Sequence, residues 1–216
     1  MQCVVTAGPT AEALDQVRRL TNLSSGRLGI ELANHLTASG HGVTLFRGEQ
    51  ATWCGECRAA RVEGFSSTTD LRERLGKLHS AKVDAVFHAA AVSDFAFGKV
   101  WARLANGGLD ERRAGKFSTR DGVLLAELVP TPKIIAELRD WFPKARLVGW
   151  KYEVDGDRAG AIRAAAAQVT ACRTDACVAN GPAYGDGFGL VTAAAPCAHL
   201  ADRAALFRAL ESLLSD

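Results

Sequence analysis

Short β-branched or apolar runs alternate with stretches of helical spacing along the whole chain, and that alternation constrains the fold more than any other feature. Cys3 to Thr6, Val43 to Phe46, Arg61 to Gly64, Ala85 to His88, Val123 to Val129, Arg146 to Trp150, Ala176 to Ala179 and Gly189 to Thr192 have the length and content of strands. Between many of them apolar residues recur on one helical face: Leu28, Leu32 and Leu36; Leu71, Leu75 and Leu78; Ile134, Ile135 and Leu138; Leu206, Leu210 and Leu213. The alanine run Ala164 to Ala167 also reads as helix. Strand and helix in alternation predict an α/β fold, a doubly wound and mostly parallel sheet with helices on both faces. The 216 residues suffice for one such domain and leave little room for a second. Phe95 to Asp121 has no clear period and carries Gly98, Gly107, Gly108 and Gly115, so it is expected to form a protruding flap.

Charge narrows the partners. The 26 Lys and Arg nearly balance the 24 Asp and Glu, and no run of like charge marks a nucleic-acid or membrane surface. No apolar stretch approaches the ~20 residues of a membrane span. Cys3-Val4-Val5 already reads as strand, so no targeting segment is expected ahead of it. The six cysteines lack a disulfide framework, which suits a cytoplasmic protein with reduced thiols.

Open α/β sheets bind ligands at the carboxyl ends of their strands. Ala7-Gly8-Pro9-Thr10, Ala89 to Asp94, Lys151 and Asn180-Gly181 all fall there, predicting one composite site. No G-x-G-x-x-G follows the first strand, no Tyr-x-x-x-Lys pair, nucleophile elbow or Walker loop occurs, and dehydrogenase and hydrolase readings weaken. A long loop leads instead to Ser24-Ser25-Gly26-Arg27 at a helix entry, where a serine is expected either to cap the helix or to help its amides hold a phosphate. Trp53-Cys54-Gly55-Glu56-Cys57 resembles a redox dithiol, but a strand resumes within a few residues where a thioredoxin-type pair needs a helix; an incidental loop pair is the simpler reading. Of the five histidines only His88 falls beside a predicted site loop, where a packed strand-end role competes with that of a base.

Several blocks carry a family resemblance. Thr6 to Thr10, Asp15 to Asn22 and Ser24 to Gly29 resemble the opening signature of phosphopantothenoylcysteine synthetase, the ligase of coenzyme A biosynthesis. Ala89 to Asp94, Gly115 to Ser118, Pro130 to Ile135, Gly149 to Lys151 and Val178 to Asn180 are similar to its later motifs. The resemblance implies a Rossmann-like fold and a homodimer paired around the flap. It also implies a reaction joining 4′-phosphopantothenate to cysteine, driven by CTP or ATP with Mg²⁺ on the phosphates and no protein-held metal site. In many bacteria this ligase follows a flavin-dependent decarboxylase; the present sequence opens at the ligase signature, so no FMN is expected.

Carried over position by position, the resemblance implies that Asn22 hydrogen-bonds the reacting acyl-nucleotide, that Arg18 contacts an anion or the intermediate, and that Lys116 reaches the triphosphate from the flap. Gly8, Ala90, Ala91, Asp94, Pro132, Lys133, Ile134, Ile135, Trp150 and Asn180 are implied on the nucleotide side, and Ser24, Ser25 and Gly26 on the acyl side. Two departures stand out. The family's Lys-x-x-x-Lys pair on the helix before Val178 is replaced by Gln168 and Cys172, leaving Arg163 or Arg173 to compensate, and Pro182 to Gly189 lacks the usual order of residues. They motivate an alternative reading, a diverged nucleotide- or phosphopantothenate-binding protein without ligase activity.

Overall fold

β1 (Gln2–Ala7) is the strand around which the rest is arranged in this computed structural model, which describes residues 1–215. Cys3 to Ala7 are all buried because both faces of the sheet are covered, which is why the strand reads as continuously apolar. β1 pairs in parallel with β4 (Gly42–Gly48) on one side and β6 (Ala85–His88) on the other. β5 (Arg61–Phe65) extends the sheet beyond β4, and β10 (Arg146–Tyr152) and β11 (Ala176–Asn180) extend it beyond β6, all parallel. β12 (Phe188–Thr192) and β13 (Ala198–Leu200) close that edge in antiparallel pairing, giving the order β13-β12-β11-β10-β6-β1-β4-β5. The winding reverses between β1 and β6, which opens a crevice at their carboxyl ends.

α1 (Arg27–Ala38) and α5 (Arg203–Ser212) cover one face, packing Ile30, Leu36, Leu206 and Leu210 on Val5, Leu45, Phe87 and Val148. α2 (Thr68–Gly76) and α3 (Ile134–Trp141) cover the other, placing Leu71, Leu75, Ile134 and Leu138 on Val4, Phe46, Val86 and Leu147. α4 (Arg158–Cys172) adds Ala161, Ala165 and Val169 against Cys177, Ala179 and Val191 on the same side as α3. The doubly wound sheet predicted from the alternation is therefore the observed fold.

Two segments depart from the prediction. The run from Val123 to Val129 does form a strand, β9 (Leu124–Pro130), but outside the central sheet: it pairs with β7 (Phe95–Arg103), which also pairs with β8 (Leu109–Arg112) in a separate antiparallel sheet. Residue content marks a strand without saying which sheet it joins, and β9 is largely exposed. The flap is thus a three-stranded antiparallel sheet with β7 at its centre, and it continues past Asp121 to Pro130. A register shift between Phe97 and Val100 breaks the alternation of β7, which hid it in the sequence. The loop after β1 likewise contains a hairpin, β2 (Ala11–Ala13) with β3 (Arg19–Thr21).

Candidate active site

The crevice is built first by the way α1 meets β1. A Cβ on Gly29 would lie 2.6 Å from Ala7 Cβ and 3.0 Å from Thr6 O, so only glycine lets the helix start close onto the strand end. Gly26 takes φ +78° as the N-cap residue, a left-handed turn that aims the chain into α1. The expected serine cap is not the one observed: Gly26 is the N-cap and no side chain bonds across it, although Ser25 Oγ accepts from Arg27 N at 3.3 Å. Among the described residues the amides of Leu28 and Gly29 have no backbone partner, and both residues line the crevice, where the helix dipole favours an anion. Ala51 packs beneath Gly8 and Gly26, and Trp53 N donates to Ser25 O at 3.0 Å, so the loop after β4 holds this bend from behind.

The opposite wall is the loop after β6. Ala90 N donates to Thr6 Oγ1 (3.1 Å), Ala91 N to Gly8 O (3.0 Å) and Ser93 N to Thr10 Oγ1 (2.9 Å), fixing Ala89 to Asp94 to β1 and its exit. Asn22 Nδ2 donates to Ala91 O at 3.1 Å, which ties the chain leading into the Ser24–Gly26 bend to this loop, and Oδ1 has no hydrogen-bond partner among the described residues. Thr131 links the loop to the start of α3 through Thr131 N to Asp94 O and its hydroxyl to Ser93 O. α1 and α3 are the helices of the fold without side-chain caps, and both begin on this crevice; Asp157 caps α4, Asp202 caps α5 and Ser67 caps α2.

Together these walls enclose a trough of about 730 Å³. It gathers Asn22, Ser24, Ser25, Gly26, Ala90, Ala91, Asp94, Pro132, Lys133, Ile134, Ile135, Trp150 and Asn180 from the positions singled out in the sequence. Gly8 lies beneath it, serving the loop through its carbonyl. Arg18 and Lys116 also lie outside its lining. Arg18 donates through Nη2 to Phe117 O, Asp15 Oδ2 accepts from Phe117 N at 3.2 Å, and Gln16 N donates to Gly115 O at 3.0 Å. Burial opposes the charge on Asp15, but the amides of Val17, Phe117 and Arg18 and the Arg18 guanidinium prevail and hold its carboxyl below the usual carboxylate range. Both neighbours of Lys116 are thereby clasped to the β2–β3 turn, while Lys116 itself is exposed and forms no ion pair among the described residues.

Sequence reasoning passed over several lining residues. Lys151 is placed at the edge without a role, and Thr131, Leu28 and Gly29 lie inside the resembling blocks without one. Lys133 pairs with Asp94 at 3.7 Å and Lys151 with Glu153 at 3.2 Å. Burial pushes the Cys172 thiol up, and the charges of Lys133 and Lys151 pull it back, so both ammonium groups act on the region where the family lysines were expected. Gln168 lines the trough, donating to Trp150 O at 3.3 Å and Cys177 Sγ at 3.1 Å. Neither arginine offered as a substitute lines the trough: Arg163 is exposed on α4, and Arg173 pairs with Asp140 at 2.7 Å. Among the described residues the cations on the trough lining are Lys133, Lys151 and Arg27, the last paired with Glu31 at 2.7 Å.

No group of three or more His, Cys, Asp or Glu side chains gathers to hold a metal among the described residues. Asp94 is the carboxylate on the lining, a donor set that suits an Mg²⁺ arriving on phosphates with most of its water retained. The arrangement offers free helix amides, two lysines and a fixed carboxamide, which is equipment for orienting anions and stabilising charge.

The family model described as the DNA/pantothenate metabolism flavoprotein C-terminal domain matches residues 1–204. A coenzyme A biosynthesis bifunctional protein CoaBC from Thermococcus kodakarensis is 34% identical over 82% of this chain and 40% of its own length. One of the same name from Bacillus subtilis is 33% identical over 88% of this chain and 42% of its own. The chain thus spans about two fifths of the curated relatives it matches. The crystal structure of the DNA/pantothenate metabolism flavoprotein from Streptococcus pneumoniae aligns over 100% of this chain and 99% of that one, with a TM-score of 0.81 at 24% identity, and so supports the fold.

Proposed function

Because the chain belongs to the DNA/pantothenate metabolism flavoprotein C-terminal domain family, we propose that it is a phosphopantothenate–cysteine ligase acting as one synthetase unit in the cytoplasm. The carboxylate of 4′-phosphopantothenate attacks the α-phosphorus of a nucleoside triphosphate, CTP before ATP, releasing pyrophosphate and forming an acyl-nucleotide. The amine of cysteine then attacks the acyl carbon and expels the nucleoside monophosphate. Each reactant brings its own nucleophile, so the protein's work is alignment and charge stabilisation.

The observation that carries this reading is the position of Asn22. Its carboxamide is fixed through Nδ2 to the Ala91 carbonyl at the seam between the Ser24–Gly26 bend and the Ala89–Asp94 loop. On this reading its open Oδ1 and second N–H contact the acyl-nucleotide where the two halves join. Ser24, Ser25 and Gly26, with the α1 amides, take the phosphopantothenate side. Ala90, Ala91, Asp94, Pro132, Lys133, Ile134, Ile135 and Asn180 take the nucleotide, with Trp150 as an aromatic wall. Mg²⁺ would neutralise the triphosphate, with Asp94 as its nearest protein carboxylate. Arg18 holds the Gly115–Phe117 segment, from which Lys116 reaches the phosphates. The flap exposes Leu109, Val123 and Leu128 at 54%, 60% and 53%, apolar surface that a second copy would cover in a homodimer.

Pyrophosphate release from the purified protein with 4′-phosphopantothenate, cysteine and Mg²⁺, CTP against ATP, tests the reading. Release is expected to require phosphopantothenate and to favour CTP. Asn22→Asp puts a charge against the Ala91 carbonyl and is expected to abolish turnover with the fold retained; product at the parent rate would remove Asn22 from the mechanism. No release with either nucleotide from a folded protein would leave only a binding protein.

A further inference from the structure

His88 ends β6 directly beneath the Ala89–Asp94 loop; it is 6% exposed, yet it belongs to the trough lining. In the β1–β6 register it stands opposite Thr6, and its Nδ1 lies 3.0 Å from Thr6 Oγ1. That hydroxyl already accepts from Ala90 N at 3.1 Å, and Thr6 is fully buried. A threonine hydroxyl has one hydrogen to give. Among the described residues Nδ1 is the neighbour placed to accept it, and a proton on Nδ1 would leave the buried hydroxyl hydrogen without a partner. Satisfying the hydroxyl therefore makes Nδ1 the acceptor and places the proton of a neutral imidazole on Nε2. No hydrogen bond from Nε2 is recorded, and it is absent from the sealed, unpartnered polar atoms among the described residues, so it opens onto the trough.

We propose that His88 is a substrate-binding donor in the trough floor, giving its Nε2–H to an anionic oxygen of the bound acyl or phosphoryl group, with Thr6 as the positioning residue that fixes the ring's tautomer. The identity of that oxygen rests on the ligase reading; the donor does not. Burial lowers the His88 pKa from 6.5 to about 4, so the ring is neutral across the physiological range and donates through one nitrogen only. Neutrality suits the task, because a donor that does not titrate holds the oxygen without moving a proton. The Thr6 hydroxyl acts on two elements at once, orienting the ring and tethering Ala90 in the wall above it.

Nitrogen-resolved NMR of histidine-labelled protein tests this, with His88 identified by its loss in His88→Phe. The wild-type ring is expected as the Nε2–H tautomer at neutral pH. Its Nε2 signal should move with 4′-phosphopantothenate, CTP or pyrophosphate, each added alone, and the ligand that moves it names the oxygen. An Nδ1–H tautomer, or an Nε2 signal that none of the three moves, would overturn the proposal. A signal that moves in a protein releasing no pyrophosphate would keep the donor and refute the ligase reading instead. In the steady state His88→Phe removes the donor and should cost about 10- to 100-fold in kcat/KM, the weight of one hydrogen bond to a charged group. His88→Gln, which retains an N–H, should recover most of it. Thr6→Val should yield a mixture of tautomers and Thr6→Ser the wild-type one; a single Nε2–H tautomer in Thr6→Val would remove Thr6 from the account.

Discussion

Gly29→Ala sets two effects of opposite sign against each other at the start of α1. Alanine in place of glycine within a helix stabilises by up to about 1 kcal/mol, and by less in the first turn, where Gly29 sits. Against this, the new methyl would stand 2.6 Å from Ala7 Cβ and 3.0 Å from Thr6 O, when ordinary contact begins at 3.4 Å. The helix start must retreat by about 0.8 Å, because the atom in its way, Ala7 Cβ, is fixed to the backbone of the central strand and cannot swing aside. Overpacking of this kind costs about 1–3 kcal/mol, so packing wins and the net loss is about 1–2 kcal/mol. For a chain of this size that lowers Tm by about 2–8 °C. The same retreat draws the Leu28 and Gly29 amides away from whatever anion they hold, and misplacement near 1 Å can cost about 100-fold in turnover. Thermal melts and pyrophosphate-release kinetics on one preparation read both terms. A variant as stable as the parent or more so, with unchanged kcat/KM, would refute the claim that glycine is required for the helix to close on β1.

The remaining predictions probe other parts of the molecule. Since the His88 pKa is lower in the folded state (about 4) than unfolded (about 6.5), its contribution is fully present above pH 6.5 and is lost as the pH falls towards 4, by about 3 kcal/mol. Urea titrations across that window should show His88→Gln lacking this part of the acid destabilisation; equal losses in parent and variant would contradict it. Asp15→Ala removes the acceptor of the Val17, Arg18 and Phe117 amides. It should speed limited proteolysis between residues 104 and 122, and unchanged cleavage would mean the flap is held elsewhere. Gln168→Lys adds a cation to a trough already holding Lys133 and Lys151, and should tighten CTP binding by about tenfold at fixed ionic strength by calorimetry. An unaltered Kd would place the triphosphate away from α4.

How much of the fold was legible follows from where each pattern had a single physical source. β1, β4, β6, β10 and β11 are short apolar runs because helices bury both their faces, and no other arrangement of such runs between helical stretches is common. The flap sheet was harder. In β7 the shift between Phe97 and Val100 breaks the alternation, and in β9 the exposed Leu128 and Val129 read like buried strand residues although they face outward. An apolar residue on a strand does not by itself say which sheet the strand joins or whether that face is covered. The same ambiguity misled the expectation for α1: serines before a helix signal a cap, but here φ +78° at Gly26 makes the glycine the cap and leaves the serines beside the trough.

The site divides in the same way. Ala90, Ala91, Asp94 and Asn180 were legible because they follow or end strands, and the topology sends all strand ends of a parallel sheet to one edge; Asn22, Ser24 to Gly26 and Pro132 to Ile135 were legible through the family resemblance. Lys151 is at that edge too, next to the last residue of β10, but a single lysine there does not announce what it acts on, and only the fold brings it and Lys133 to bear on the thiol of Cys172 on α4. Losing cations from one helix therefore does not strip the trough of charge: they enter from the ends of β10 and α3 instead. His88 marks the limit of sequence reasoning. Its position beside a site loop was readable, but its tautomer depends on Thr6, 82 residues away, and on the Ala90 amide that shares the same hydroxyl. A hydrogen-bonding role set by a partner's remaining capacity exists only once β1 and β6 are paired, so no motif scan of either strand alone could have assigned it.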